Sequence, residues 1–219
     1  MPTTSDPMRS YYAARANEYD SIYAKPERQT DLRAIEAWLP ARFDGRAVLE
    51  IACGTGYWTQ FIAARASSIV AVDAAQETIR IAETRVPKDK VRFVIGDAYA
   101  LPEGLGAFDG VFAGFWFSHV LAVRRHAFLS GLGGAIKPGA RVILLDNRFV
   151  PGSSTPISEQ DAEGNTYQVR TLNDGSKHRV LKNFPTEQEL QAAIAGLGTQ
   201  GTLHEWQYYW AFEYIAAQP

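Results

Sequence analysis

From residue 47 onward the apolar positions fall into two alternating periods. Ala47 to Ala52 is a short apolar run broken only by Glu50, and it leads into Gly54-Thr55-Gly56. Trp58, Phe61, Ile62 and Arg65 then follow at helical spacing. Ile69 to Val72 is a second run and ends at Asp73; residues 75–86 place Ile79, Ala82 and Val86 on one helical face. Val91 to Ile95 ends at Gly96-Asp97, and Phe108 to Phe117 holds a fourth strand and its exit. Leu121 to Ile136 reads as largely helical, Lys137-Pro138-Gly139 as a turn, and Arg141 to Leu145 as a fifth strand running into Asp146-Asn147-Arg148. The strand runs lack polar alternation, as strands buried on both faces do. Strands alternating with helices imply right-handed crossovers and a parallel sheet, so the first 150 residues or so predict a doubly wound α/β domain.

The flanks differ. Residues 9–24 are rich in Tyr, Arg and Ala, Pro26 offers a helix start, and Leu32, Ile35, Trp38 and Leu39 repeat helically before Pro40 stops the pattern. Pro151 to Gly164 reads as loop, and Tyr167 to Lys182 as two strands around Asp174-Gly175. Thr186-Glu187-Gln188-Glu189 is a capping box before a helix that ends near Gly196–Gly198. Thr202 to Ile215 is strand-like, with Gln207-Tyr208 a possible break. The expected organisation is one domain over 1–219: a helical segment 1–40, a core 41–149, a loop-and-hairpin insertion 150–183 and a closing helix with strands over 184–219. The insertion is expected to form a flap or a dimer contact on the substrate side, and the assembly to be a monomer or homodimer.

Composition narrows the function. The 219 residues carry 22 basic and 24 acidic side chains, a net charge of −2, with 46% apolar and 21% charged residues. That is ordinary for a soluble domain. No membrane-length apolar run and no secretory leader is visible, so cytoplasmic residence is expected. Arg124-Arg125-His126 and Lys177-His178-Arg179 are short basic spots, read as solvated surface, so a small molecule is favoured over nucleic acid. One cysteine excludes an internal disulfide, and the histidines at 119, 126, 178 and 204 show no ligand spacing, so no metal site is expected.

The chemistry concentrates in Glu50-Ile51-Ala52-Cys53-Gly54-Thr55-Gly56, between a strand and a helix. Gly54 and Gly56 let a ligand approach the backbone, and the helix start supplies free N–H groups. Asp73, at the tip of the next strand, suits two ribose hydroxyls, and Asp97 with Ala98, at the tip of the third, suits an adenine edge. As a dinucleotide fingerprint the loop is incomplete, because Thr59 stands where Gly or Ala is wanted. It also holds Glu50 and no cation to meet a diphosphate. A nucleoside with a positive centre and no phosphate fits better, and S-adenosylmethionine is such a ligand. A nicotinamide-dependent reductase is the rival enzyme, and a non-catalytic cofactor-binding module the rival from another class.

Residues 46–146 resemble the class I S-adenosylmethionine-dependent methyltransferases, of the small-molecule type related to those of quinone biosynthesis. The match runs through the acidic-x-Gly-x-Gly-x-Gly loop at Glu50 to Gly56, with Ala52 in place of the first glycine. It continues through Asp73, Gly96-Asp97-Ala98 with Leu101-Pro102, Phe108-Asp109-Gly110-Val111 and Lys137-Pro138-Gly139-Ala140. The resemblance implies a Rossmann-like, mainly parallel seven-stranded sheet with an antiparallel C-terminal end. It implies a cofactor shell of Glu50, Ala52, Gly54, Gly56, Trp58, Asp73, Ala74, Asp97, Ala98 and Phe115. Trp58 has packing on the sheet as its alternative. An aromatic N-terminal lid would add Tyr11, Tyr12, Arg15 and Tyr19. After the fourth strand, where this fold places its substrate, Trp116 and Phe117 join Phe115 as stacking surfaces, and His119 is the candidate base, with helix capping as its alternative. Asn147 and Arg148 are further substrate candidates. The expected reaction is methyl transfer to an N or O nucleophile of a small planar aromatic or heteroaromatic compound, with C-methylation of a quinone-type precursor as an alternative.

Overall fold

The computed structural model describes residues 7–217, with side chains from Tyr11 onward; the first six residues and the Arg9 side chain of the aromatic segment lie outside the described part. Helix α1 (Pro7–Arg15) runs into a 3-10 stretch over Ala16–Tyr23, and a further 3-10 turn at Pro26–Arg28 leads into α2 (Gln29–Arg42). Leu32, Ile35 and Leu39 are fully buried, as their spacing requires. Pro40 lies inside α2 rather than ending it. A proline in the last turn removes one backbone donor, and the helix needs only two more residues beyond it.

Strands β1 (Ala47–Ile51), β2 (Ser68–Asp73), β3 (Val91–Ile95), β4 (Phe108–Gly114) and β5 (Ile136–Asn147) alternate with α3 (Tyr57–Ala63), α4 (Gln76–Ala82) and α5 (Arg125–Gly131). Helix α4 ends at Ala82, short of the 75–86 expected; turns follow, and Val86 itself precedes Pro87, where helical backbone is disfavoured. Strand β5 begins at Ile136, ahead of the expected Arg141. Ile136 pairs with Phe108, the register then shifts, and the exposed Lys137-Pro138-Gly139 are absorbed as an irregularity within the strand.

A small antiparallel sheet of β6 (Glu159–Gln160), β7 (Thr166–Thr171) and β8 (Lys177–Leu181) follows, then α6 (Glu187–Ala193), β9 (Gly198–Glu205) and β10 (Tyr209–Ala216). The capping box at Thr186 forms with both of its bonds. The main sheet has seven strands in the order β3-β2-β1-β4-β5-β10-β9. Strands β1 to β5 are mutually parallel, β10 is antiparallel to β5, and β9 is antiparallel to β10. Consecutive residues feed opposite cores: Val48, Phe112, Ile143 and Ala211 enter the core shared with α2 and α3. Leu49, Val111, Val142 and Phe212 enter the core shared with α5 and α6. Burial on both faces is what the unbroken apolar runs encode. Strand order reverses at β1 and β4, and their carboxyl ends form the crevice where open α/β sheets bind ligands.

Candidate active site

The turn after β1 carries three left-handed residues: Ala52 (φ 53), Gly54 (φ 57) and Gly56 (φ 76). A side chain on Gly56 would lie 2.8 Å from Cβ of Ala82, so this glycine allows the turn to press against α4. A side chain on Gly54 would meet nothing within 4 Å, which leaves its backbone open to a ligand. Ala52 adopts a conformation that costs a non-glycine residue about 1–2 kcal/mol.

Asp73, at the tip of β2, fastens this turn. Its Oδ2 accepts from the Gly54 N–H at 2.8 Å, and its Oδ1 accepts from the Ala75 N–H at 2.9 Å and the Thr78 hydroxyl at 3.0 Å. With two acceptor positions per carboxylate oxygen, Oδ2 keeps one for a ligand. Burial raises the Asp73 pKa, and the Ala75 and Gly54 N–H bonds oppose the rise. Ala74 stands half-buried beside it. Glu50 projects toward the α2/α3 side and is 1% exposed. Its Oε2 has no partner among the described residues. Burial pushes its carboxyl up to about 8; the nearby Thr59 hydroxyl opposes this, and Asp73 adds to it. A buried, unmatched acid beside an open glycine turn fits a cationic ligand and disfavours a diphosphate. At the tip of β3, Asp97 is exposed, with Oδ1 accepting from the Tyr99 N–H at 2.8 Å, and Ala98 packs half-buried on the α5/α6 core.

The N-terminal segment closes over this turn. Thr55 donates its hydroxyl to Asp20 Oδ1 at 2.6 Å, and Asp20 also pairs with Arg85. Tyr23 stacks on Tyr57 at 3.5 Å between ring centroids. Trp58 is 3% exposed, packed among Tyr23, Phe61 and Phe115, with its indole N–H unpartnered among the described residues. Tyr12 and Tyr19 meet edge to face, and Arg15 lies over the Tyr19 ring. Tyr11 goes elsewhere: its ring joins Leu172 and Val180 in the small core of the hairpin and does not line the cavity described next. Its contact partner is the insertion, which the sequence does not place next to it.

Beyond the strand tips lies a cavity of about 390 Å³, bounded by Phe115 after β4, Asn147 at the end of β5, Tyr12 and Tyr19 from the N-terminal segment, and Arg170 and Lys182 from the insertion. The insertion is tied down by Asn183, whose N–H donates to the Ser118 carbonyl at 2.8 Å and whose amide donates to Val120 at 3.1 Å. His119, 5% exposed, faces the cavity. Its Nδ1 bonds the Leu181 carbonyl, which can only accept, so Nδ1 carries the proton and Nε2 accepts from the Tyr12 hydroxyl at 2.8 Å. The ring therefore joins the insertion to α1 and caps no helix. Burial first, then Lys182 and Arg170, hold its pKa well below 6.5.

Three substrate candidates turn away from this cavity. Phe117 is completely buried in the α5/α6 core against Phe128. Trp116 packs on Tyr99 and Phe128. Arg148 donates to the Trp206 carbonyl and pairs with Glu205 at the β9–β10 turn. Phe115 remains, held at φ 57 with its ring near-parallel to Tyr23 and Tyr209. That left-handed residue rotates the chain, so the next two side chains enter the core instead of the cleft. Asn147 lines the cavity and accepts from Arg28 at 2.8 Å.

Sequence reasoning missed a buried ion pair. Lys182 Nζ lies 2.5 Å from Asp146 Oδ1, with side chains 5% and 0% exposed. Lys182 also donates to the Ser118 hydroxyl at 2.6 Å. The partners are 36 residues apart, and only the docking of the insertion brings them together. Among the described residues no helix is long and apolar enough to cross a membrane, and no cluster of three or more His, Cys, Asp or Glu is placed to hold a metal ion.

A family model described as a methyltransferase domain matches residues 48–139. Among curated relatives, the demethylmenaquinone methyltransferase of Clavibacter sepedonicus is 27% identical over 163 residues, covering 74% of this chain and 63% of the relative. An uncharacterised methyltransferase of Synechocystis is 30% identical over 102 residues, covering 47% of each. The chain thus spans less than two thirds of the length of these relatives. Among solved structures, DhpI in complex with SAH superposes with a TM-score of 0.79 at 30% identity over 97% of both chains. DhpI in complex with SAM and HEP gives 0.78 at 28% identity, over 97% of this chain and 96% of that one. On that near-complete correspondence, the chain belongs to the class I S-adenosylmethionine-dependent methyltransferases.

Proposed function

We propose that the chain transfers the methyl group of S-adenosylmethionine to an N or O nucleophile of a small acceptor seated in the cavity at the carboxyl ends of β4 and β5. The observation that carries this reading is the buried, unpartnered Glu50 oxygen beside the open Gly54 backbone. In this reading Asp73 Oδ2 meets the ribose, Asp97 and Ala98 border the adenine, and Glu50 faces the positive end of the ligand. When bound, the cofactor supplies a methyl group already activated on a sulfonium.

The protein's own contribution is alignment and exclusion of water. Orientation of a nucleophile against a reacting centre is worth up to about 7–11 kcal/mol. Tyr12, Tyr19 and Phe115 wall the site, and the N-terminal segment covers it. The Tyr12 hydroxyl is one of the polar groups that line the cavity, and His119 orients it by accepting its proton in a hydrogen bond. His119 is thus a positioning residue, held neutral by burial and by its cationic neighbours. The planar aromatic acceptor suggested by Phe115-Trp116-Phe117 retains only Phe115 in support. Incubation with methyl-labelled cofactor and a panel of small hydroxyl, amino and acidic metabolites tests the proposal. Transfer of label to at least one acceptor, slowed in the Tyr12→Phe variant, supports it; binding of cofactor without transfer to any acceptor favours a non-catalytic module.

A further inference from the structure

Five basic side chains, Arg15, Lys25, Arg28, Arg170 and Lys182, line the cavity against a single acidic one, Glu18. Among the described residues, only Lys182 of these five has a carboxylate partner within ion-pair distance, Asp146. The other four are bonded to neutral acceptors alone among the described residues. Arg28 donates to the Ser153 hydroxyl at 2.9 Å and to the Asn147 amide oxygen at 2.8 Å. Lys25 donates to the Ser153 carbonyl. Arg170 donates to the Gln168 amide oxygen at 3.0 Å, and Arg15 to the Tyr11 hydroxyl at 2.9 Å.

This arrangement is costly as it stands. Buried charges are normally paired, and Arg28 is 5% exposed with no carboxylate within ion-pair distance among the described residues; Glu27 reaches it only through the shared Ser153 hydroxyl. Its stacking over Tyr208 and Tyr209 makes burial tolerable without neutralising the charge. The cations also disfavour one another. Lys25 is held below its ordinary pKa by burial and then by Arg28, and Lys182 by burial, with Arg170 and Arg28 adding to it. The overall charge of −2 gives no hint of such a concentration, so it is local and specific to the cavity.

We propose that the methyl acceptor is an organic anion whose carboxylate or tetrahedral oxyanion group sits between Arg28, Lys25 and Arg170. This rests on the methyl-transfer reading, with the cavity as the acceptor site. Guanidinium forks match the planar edges of both kinds of oxyanion, and an ammonium adds a point charge. The cation set spans the N-terminal segment (Lys25, Arg28) and the insertion (Arg170), so an anion between them also draws the two covering segments together.

The test is calorimetric titration of the full chain, with and without S-adenosylhomocysteine, by inorganic phosphate and separately by acetate at constant chloride. The expected result is saturable, one-to-one binding of at least one of the two in the millimolar range. That binding weakens about tenfold or more in Arg28→Gln and in the half-buried Lys25→Gln, while S-adenosylhomocysteine affinity changes less than about threefold. Preference for phosphate assigns a tetrahedral oxyanion, and preference for acetate a carboxylate. No saturable binding of either probe, or binding unmoved in both variants, overturns the proposal. Failure of S-adenosylhomocysteine itself to bind speaks against the methyltransferase reading instead, and the titration of the unloaded chain still decides the anion site.

Discussion

The Tyr12 hydroxyl lies 2.8 Å from Nε2 of His119, across 107 residues of sequence. Through this bond the first described helix reaches the loop that follows β4, and the cavity acquires its fourth wall. Tyr12 ionises only at about 12, because burial outweighs the nearby Arg170. The pair is therefore neutral on both sides at physiological pH, and it works by orientation rather than by charge. Tyr12→Phe should lower kcat about tenfold to a hundredfold, while the dissociation constant of S-adenosylhomocysteine moves by less than about threefold. Turnover of labelled cofactor together with calorimetry checks this; equal loss in both measurements would reduce Tyr12 to a part of the cofactor lid.

As the proposed partner of the cofactor's cationic end, Glu50 should make cofactor binding depend on pH. In the free protein it stays protonated up to about pH 8, and a cationic ligand needs it ionised. Affinity for S-adenosylhomocysteine, which carries an ammonium group, should therefore rise with pH by up to about tenfold per unit below about 8, then level off. Glu50→Gln should flatten that slope. The same group affects stability with a definite sign. An unfolded Glu50 ionises near its ordinary 4.5, whereas the folded one holds its proton to about 8, so stability of the free chain falls as pH rises across that window. Denaturant titrations at several pH values should show the fall in the parent and a shallower one in Glu50→Gln. A parent slope no steeper than the variant's contradicts the assignment.

Asp73 fastens the glycine turn and, in the proposed reading, also meets the ribose, so its removal should cost both. Asp73→Ala leaves the N–H groups of Gly54 and Ala75 without their acceptor and removes the remaining Oδ2 site. Cofactor affinity should drop by about 1–3 kcal/mol, and the free chain should lose stability on the same scale. Calorimetry and thermal unfolding measure the two separately. Loss of stability with unchanged affinity would leave Asp73 a purely structural clasp.

The Asp146–Lys182 pair anchors the insertion to the end of β5. Lys182→Met strands a carboxylate that is fully buried, and should destabilise the fold by about 3–5 kcal/mol. Replacing both partners with apolar residues should recover most of that loss. Chemical denaturation of the two single variants and the double variant forms the cycle, and additive losses would show that the pair is not coupled.

The sheet was legible because its strands are buried on both faces, so Ile69 to Val72 and Val142 to Leu145 appear as continuous apolar runs whatever packs on them. The glycine turn, Asp73 and the hairpin at Asp174-Gly175 were legible for a similar reason, since each depends on local backbone geometry. The cavity walls were not. Arg28 sits in a charged Pro26-Glu27-Arg28 stretch that resembles solvated surface, and it is buried only because Tyr208 and Tyr209 fold beneath it. Lys182 follows a strand that reads as an exposed hairpin arm, and nothing local marks it as the partner of Asp146. Phe117 was misplaced because the left-handed backbone at Phe115, a rare state for an aromatic residue, turns the chain into the core. The residues placed by local geometry are thus readable in order along the chain, and those brought together by long-range docking are not.

In the proposed reading, the glycine turn, Asp73 and Glu50 form a nucleoside site for a cationic, phosphate-free cofactor. Parallel calorimetric titrations of the full chain with S-adenosylhomocysteine and with NADPH test it most directly. One site for S-adenosylhomocysteine with micromolar affinity, and no measurable heat from NADPH, is the expected result. Saturable binding of NADPH alone would contradict it.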